Sequence, residues 1–112
     1  MKLEAGQVVL LPFPHTNLKT GKKRPALVLT GREYHDESRD TVLAYVTSQR
    51  QTGKWSIKIT AQDLSTGTLV KDSWVRVDRL ATVEQGLVQG VVGQLKQNVL
   101  RKVRASLLDL LG

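Results

Sequence analysis

The feature that most constrains the fold is a pair of short apolar runs on either side of a polar, basic insert. The runs are VVLL at residues 8–11 and ALVL at residues 26–29, and the insert extends from His15 to Arg24. Runs of this kind bounded by Pro and Gly are typical of buried strands, which predicts that the insert is a loop on a rigid sheet. Pro25 holds the preceding residue near extended geometry, so we expect Arg24 to have a constrained backbone where its strand begins.

Hydrophobic patterning predicts a mainly β fold. Trp55, Ile57 and Ile59 alternate with polar residues, as in a strand with one wet face, whereas Ser65-Thr66-Gly67 is typical of a turn. Strands are predicted at about 7–11, 25–30, 41–47, 54–60 and 73–79, with shorter ones at 68–70 and 90–94.

The last stretch of the chain changes to helical spacing from about Lys96, where no strong N-cap residue stands. The apolar positions on one face are Val99, Leu100, Val103, Leu107, Leu110 and Leu111, and the outward positions are Gln97, Arg101, Lys102, Arg104 and Ser106. We expect one amphipathic C-terminal helix lying across the sheet. Short strands, tight turns and a lone helix predict a strongly curved sheet, closed or partly closed into a small β-barrel.

Length and composition restrict the class of protein. The 112 residues predict a single domain over 1–112 with one core. The sequence has no cysteine, which excludes disulfides, thiol catalysis and Cys-ligated zinc. No secretory h-region or membrane-spanning apolar run is present, so the expected location is the cytoplasm.

The charge balance favours a polyanionic partner. Seventeen Lys and Arg against ten Asp and Glu give a net charge of +7, and nucleic acid is the leading candidate. The alternative is a basic surface that only aids solubility. The positive charge is concentrated in residues 19–24, which contain four cations and no anion, whereas residues 33–40 mix both signs.

Two groups at predicted strand ends could act on a phosphodiester. The guanidinium of Arg24 can bind two phosphate oxygens and stabilise charge that develops in a transition state; the alternative is an arginine that caps a strand or pairs with a carboxylate. The hydroxyls of Thr47 and Ser48 can donate to a phosphate or orient the arginine, although Thr-Ser is also ordinary turn chemistry.

Three further residues could move protons. Arg76 and Asp78 lie two apart on a predicted strand and therefore on one face, where they could act as an acid–base pair or form only a surface ion pair. His15, at the mouth of the basic insert, has an ordinary pKa suited to proton transfer, or it is merely exposed. His35 lies in the charge-mixed segment and is assigned no role.

The segments VVLLPFP at 8–14, KRPALVL at 23–29 and YVTS at 45–48 resemble the PemK/MazF family of toxin–antitoxin ribonucleases. The resemblance implies an SH3-like β-barrel, in the superfamily that includes the gyrase poison CcdB, and usually a homodimer. It also implies that Arg24 is catalytic and that Thr47 contributes beside it. In the PemK-like branch an Arg-x-Asp, here Arg76-Val77-Asp78, is assigned to acid–base catalysis together with a loop histidine, for which His15 is the candidate.

The function implied is a metal-independent endoribonuclease, needing no cofactor, that cleaves single-stranded mRNA at a short sequence. It would yield a 2′,3′-cyclic phosphate or 3′-phosphate and a 5′-hydroxyl. The expected partners are RNA and a cognate antitoxin with an acidic, disordered C-terminal segment. The expected RNA-binding residues are Lys19, Lys22, Lys23, Ser48 and Arg50. Two alternatives are a CcdB-like gyrase poison, whose C-terminal tryptophan is missing here, and a non-catalytic SH3-like RNA-binding module, for which the five aromatic residues are few.

Overall fold

The computed structural model describes residues 2–12 and 23–112. In chain order the strands are β1 (Gln7–Pro12), β2 (Lys23–Val28), β3 (Asp40–Thr47), β4 (Ser56–Ile59), β5 (Leu64–Gly67), β6 (Ser73–Glu84) and β7 (Gly90–Leu95). The helices are α1 (Arg32–Glu37) and α2 (Gln97–Leu111), with 3-10 turns at Ala61–Asp63 and Gln85–Leu87. The strands form one antiparallel sheet in the order β4-β6-β3-β2-β1-β7-β5.

One core cluster shows how the sheet curves. Ile59 on one edge strand and Leu64 on the other belong to the same buried cluster, to which α2 adds Val99 and Val103. Because both edges contribute to one core, the sheet is curled into a half-barrel with α2 packed against it. The prediction of a mainly β, partly closed barrel with a C-terminal helix is therefore confirmed.

The opposite face of the sheet carries a second buried cluster, which explains the continuous apolar run at 8–11. Val8 belongs to the first cluster, whereas Val9 and Leu11 belong to the second. A strand buried on both faces has no wet side, so its sequence does not alternate between apolar and polar residues.

Strand β2 begins and ends two residues earlier than the predicted 25–30. Lys23 pairs with Pro12 and Arg24 pairs with Leu11 of β1, so Arg24 lies inside the strand rather than at its start. The predicted loop over 15–24 is accordingly wrong for Lys23 and Arg24, and residues 15–22 lie outside the described part of the chain.

The predicted strand at 68–70 is wrong, because the pairing strand is β5, just before it. Gly67, interpreted above as part of a turn, has φ +85° and lies so close to β7 that an added Cβ would overlap the carbonyl oxygen of Val92. The glycine is needed for close approach of two strands and not for a reversal of the chain.

The charge-mixed segment contains a short helix, α1, that the sequence patterning did not predict. His35 fastens this helix: its Nδ1–H donates to the carbonyl oxygen of Leu3 at 2.8 Å, and its Nε2 lies 2.8 Å from the hydroxyl of Thr30 and 2.9 Å from that of Thr41. A ring that donates at Nδ1 and accepts at Nε2 is neutral. His35 thus has a structural role.

Helix α2 begins at Gln97 without a side-chain cap, as expected, and buries Val99, Leu100 and Val103. Ser106, predicted to face outward, is buried, and its hydroxyl donates to the carbonyl oxygen of Lys54 at 3.2 Å. Leu111, predicted to face the sheet, is 70% exposed because it lies in the last turn. Among the described residues no helix is long and apolar enough to cross a membrane.

Candidate nucleic-acid interface

A cleft of about 430 Å³ opens where β2 and β6 begin and β3 ends. Arg24 and Thr47, predicted from separate motifs, both line it. The described residues that line the cleft are Lys23, Arg24, Pro25, Val46, Thr47, Ser48, Gln49 and Ser73. They include two cations and no carboxylate, a balance that favours an anionic ligand such as a phosphate.

Strand register explains why Arg24 and Thr47 meet. Ala26 pairs with Tyr45 between β2 and β3, and continuing that register by two residues places Arg24 opposite Thr47. Directly opposed residues of an antiparallel pair point to the same face, with Cβ atoms about 5 Å apart. The two side chains therefore project from neighbouring strands toward one ligand.

Arg24 is exposed and forms no ion pair with any residue in 2–12 or 23–112. An arginine that pairs with a carboxylate was the alternative interpretation of this residue, and the described structure offers it no such partner. Its backbone is fixed by pairing with Leu11 and by the following Pro25. The guanidinium can thus present its donors to a phosphate from a rigid base.

Thr47 is oriented by the turn that ends β3. Its hydroxyl oxygen accepts a hydrogen bond from the backbone N–H of Gln49 at 3.1 Å, the local turn geometry expected of a threonine. The hydroxyl proton can still be donated to a ligand in the cleft. Ser48 is exposed beside it, whereas Arg50 is exposed further along and is not among the described cleft residues.

Arg76 and Asp78 form a second pair outside the cleft. Arg76 Nη2 donates to Asp78 Oδ2 at 3.0 Å, and the two side chains are 27% and 32% exposed. Arg76 pairs with Tyr45 on β3 whereas Leu80 pairs with Ala44, so the residues between them form a β-bulge. Bulges re-aim side chains, and this one turns Asp78 back toward Arg76.

The two pairs share one face of the sheet but differ in position. Arg76 is opposite Tyr45, and Thr47 is opposite Trp74, two residues nearer the open end of β6. Buried Arg76 Nε has no hydrogen-bond partner among the described atoms. The Arg76–Asp78 pair lies next to the cleft, where it could reach a ligand that extends along the strands.

The structure adds two cleft residues that the sequence patterning missed. Ser73 is 5% exposed and donates to the carbonyl oxygen of Lys71 at 3.0 Å, and Gln49 follows the Thr47 turn. Neither carries a sequence signal, because a serine at a strand start and a glutamine after a turn are common. The candidates His15, Lys19 and Lys22 lie outside the described residues.

Metal-ligand geometry was sought over 2–12 and 23–112. No group of three or more His, Asp or Glu side chains there is arranged to hold a metal ion.

The whole sequence matches one family model. Residues 4–111 match the model of PemK-like, MazF-like toxins of type II toxin–antitoxin systems. The chain belongs to this toxin family. The match confirms the resemblance drawn from the 8–14, 23–29 and 45–48 segments, and a search of curated protein sequences returns no match.

Solved structures of toxins share the fold of this family member. A MazE–MazF complex from Deinococcus radiodurans superposes with a TM-score of 0.78 at 25% identity, covering 100% of this chain and 98% of the other. An endoribonuclease in complex with its cognate antitoxin from a mycobacterial species gives 0.77 at 20% identity, with 98% and 95% covered. The Mycobacterium tuberculosis toxin MazF-mt6 gives 0.76 at 15% identity, with 94% and 95% covered. The last two likenesses concern the fold alone.

Proposed function

We propose that the protein is an endoribonuclease toxin that cleaves single-stranded RNA, mRNA above all, at a short sequence. The observation that carries the proposal is the cleft in which Arg24 and Thr47 meet, in a chain of the PemK-like, MazF-like toxin family. The similarity to a toxin described as an endoribonuclease supports the same class of activity. Residues 1–112 act as a single toxin domain in the cytoplasm.

RNA supplies its own nucleophile for this reaction. The 2′-hydroxyl attacks the adjacent phosphorus, and the 5′-oxygen of the next nucleotide leaves, giving a 2′,3′-cyclic phosphate and a 5′-hydroxyl. The protein must remove one proton, stabilise the extra negative charge on the phosphorane and protonate the leaving oxygen. Arg24 stabilises that charge with two donors, and Thr47 donates to the same phosphate.

Proton transfer falls to Arg76, Asp78 or His15. The carboxylate of Asp78 is held by Arg76 and can accept the 2′-proton, in which case another group protonates the leaving oxygen. Phosphates of the flanking nucleotides bind Lys19, Lys22, Lys23, Ser48 and Arg50.

The toxin acts without a metal ion, because the nucleophile comes from the substrate and the positive charge from Arg24. Cleavage of a long RNA by the purified protein is therefore expected to be unchanged in excess EDTA, with discrete new 5′-hydroxyl ends when the products are mapped. Loss of cleavage in EDTA that Mg²⁺ or Mn²⁺ restores would contradict this mechanism. Absence of cleavage under every condition would contradict the proposed function itself and favour a gyrase poison or an RNA-binding module.

Two partners accompany this function. The similarity to toxins solved with antitoxins supports a cognate antitoxin whose acidic, disordered segment folds onto the basic cleft. A homodimer is supported by large apolar side chains left on the surface, of which Leu80 is 43%, Leu87 48% and Val91 44% exposed.

RNA and the antitoxin are expected to share the basic site. Charge reversal at Lys22 and Lys23 should weaken both ligands, because each lost phosphate contact lowers RNA affinity about fourfold at 0.15 M salt. The log–log salt dependence should become shallower by about 0.7 for each contact. Titration of RNA and of the antitoxin peptide at several salt concentrations measures both effects.

The matched control is the adjacent pair Arg101 and Lys102, which is exposed on α2. Reversing those two charges changes the net charge equally and should leave both affinities near wild type. Antitoxin affinity that survives reversal at Lys22 and Lys23, or RNA that binds alongside the antitoxin, would show that the sites are separate.

A further inference from the structure

Trp74 stands out on the face that carries the cleft. The chain has two tryptophans, and Trp55 packs against the first core cluster whereas Trp74 belongs to neither cluster. Trp74 is nonetheless only partly exposed, on a strand that is paired on both sides. A large indole at the surface, held by its backbone but not used in the core, is available for a ligand.

Register places Trp74 beside the proposed reaction centre. Thr47 is its direct partner on β3, and Lys58 is its direct partner on β4. With Arg24 opposite Thr47, these four side chains form a row across four adjacent strands. The neighbouring residue Ser73 lines the cleft itself. A nucleotide flanking a phosphate held by Arg24 and Thr47 therefore lies within reach of the indole.

The face of the indole is open to groups in solution. The ammonium of Lys58 lies 5.9 Å from the ring centroid of Trp74, and the same ammonium pairs with Asp72 at 3.6 Å. The Lys58 side chain is 56% exposed, so it can leave the ring and bind the phosphate of an arriving nucleotide. An aromatic face beside a movable cation is the combination that binds single-stranded nucleic acid.

We propose that Trp74 is a stacking platform for the base adjacent to the scissile phosphate, with Lys58 binding that nucleotide's phosphate. This inference rests on the proposed ribonuclease function and adds a substrate-binding subsite to it. The occupant is an RNA base rather than an apolar antitoxin side chain, because Lys58 and Arg24 favour a group that carries a phosphate. Stacking is tolerant of base identity, so the subsite contributes affinity and placement more than sequence choice.

The two tryptophans make the proposal directly measurable. In the Trp55→Phe variant Trp74 is the only indole, and in the Trp74→Phe variant Trp55 is the only one. The probe is an RNA that spans a cleavage site mapped with the wild-type protein and carries a 2′-deoxynucleotide at the attacked position, so that it binds without being cut. Saturable quenching of the Trp74 emission is expected, together with unchanged Trp55 emission.

Kinetics of the same positions provide the second readout. Trp74→Ala should lower kcat/KM about tenfold to a hundredfold, mainly through a higher KM, while Trp74→Phe retains most of the activity. Trp55→Phe should cleave at the wild-type rate, and thermal unfolding checks that each variant is folded. Unchanged Trp74 emission at saturating RNA, or wild-type KM for Trp74→Ala, overturns the stacking role.

The outcomes separate this proposal from the function on which it rests. If the wild-type protein cuts RNA but Trp74 does not respond, only the subsite is wrong. If no RNA is cut, no cleavage site can be mapped and the proposed function fails first. If antitoxin peptide quenches Trp74 and RNA does not, the indole binds the protein partner and the proposal is overturned.

Discussion

The Arg24→Ala variant is expected to cleave RNA about 10²–10³-fold more slowly than the wild-type protein, the loss typical when one donor to a transition-state oxyanion is removed. The phosphorane carries more negative charge than the ground-state phosphodiester, and Arg24 lines the cleft with no ion-pair partner among residues 2–12 and 23–112. Its loss should therefore lower kcat more than it raises KM. Single-turnover cleavage of a defined RNA measures this difference.

Two further variants separate chemistry from charge and from folding. Arg24→Lys should restore little activity, because a lysine cannot make the bidentate contact of a guanidinium. Arg104→Ala removes an equally exposed arginine from α2 and should leave cleavage unchanged. The Arg24→Ala protein should unfold within about 0.5 kcal/mol of wild type, since the side chain is exposed. Near-wild-type cleavage by folded Arg24→Ala would remove the main catalytic assignment.

The sequence was sufficient for the class of fold. Apolar runs at 8–11 and 26–29 predicted buried strands, and the helical spacing from Val99 to Val103 predicted α2. These signals are strong because each reports burial of a whole face. The curl of the sheet is also foreseeable in outline, since many short strands and one helix leave few other ways to cover an apolar face.

Local errors arose where tertiary contacts decide the structure. Lys23 and Arg24 are polar, yet they belong to β2 because β1 pairs with them. Gly67 is a turn former by composition, but in the fold it lets two strands approach. Helix α1 has no buried residue and is held by the hydrogen bonds of His35, so it leaves no hydrophobic period to detect.

The candidate site was predictable residue by residue but not as an arrangement. Motifs indicated Arg24 and Thr47 separately, whereas their meeting depends on the register between β2 and β3. Asp78 reaches Arg76 through a bulge that alternation alone does not reveal. Trp74 shows its importance only in the fold, because its sequence resembles that of any tryptophan in a strand.

The most direct test of the account is the chemistry of the nucleophile. After the wild-type cleavage sites are mapped, one RNA is made with a single 2′-deoxynucleotide on the 5′ side of the scissile bond, and a control RNA carries it one nucleotide further away. The account predicts that cleavage at the first site is abolished while binding is retained, and that the control RNA is cut normally to a 5′-hydroxyl product. Cleavage that continues at the deoxynucleotide would show that water, and not the 2′-hydroxyl, attacks the phosphorus, and would contradict the proposed mechanism.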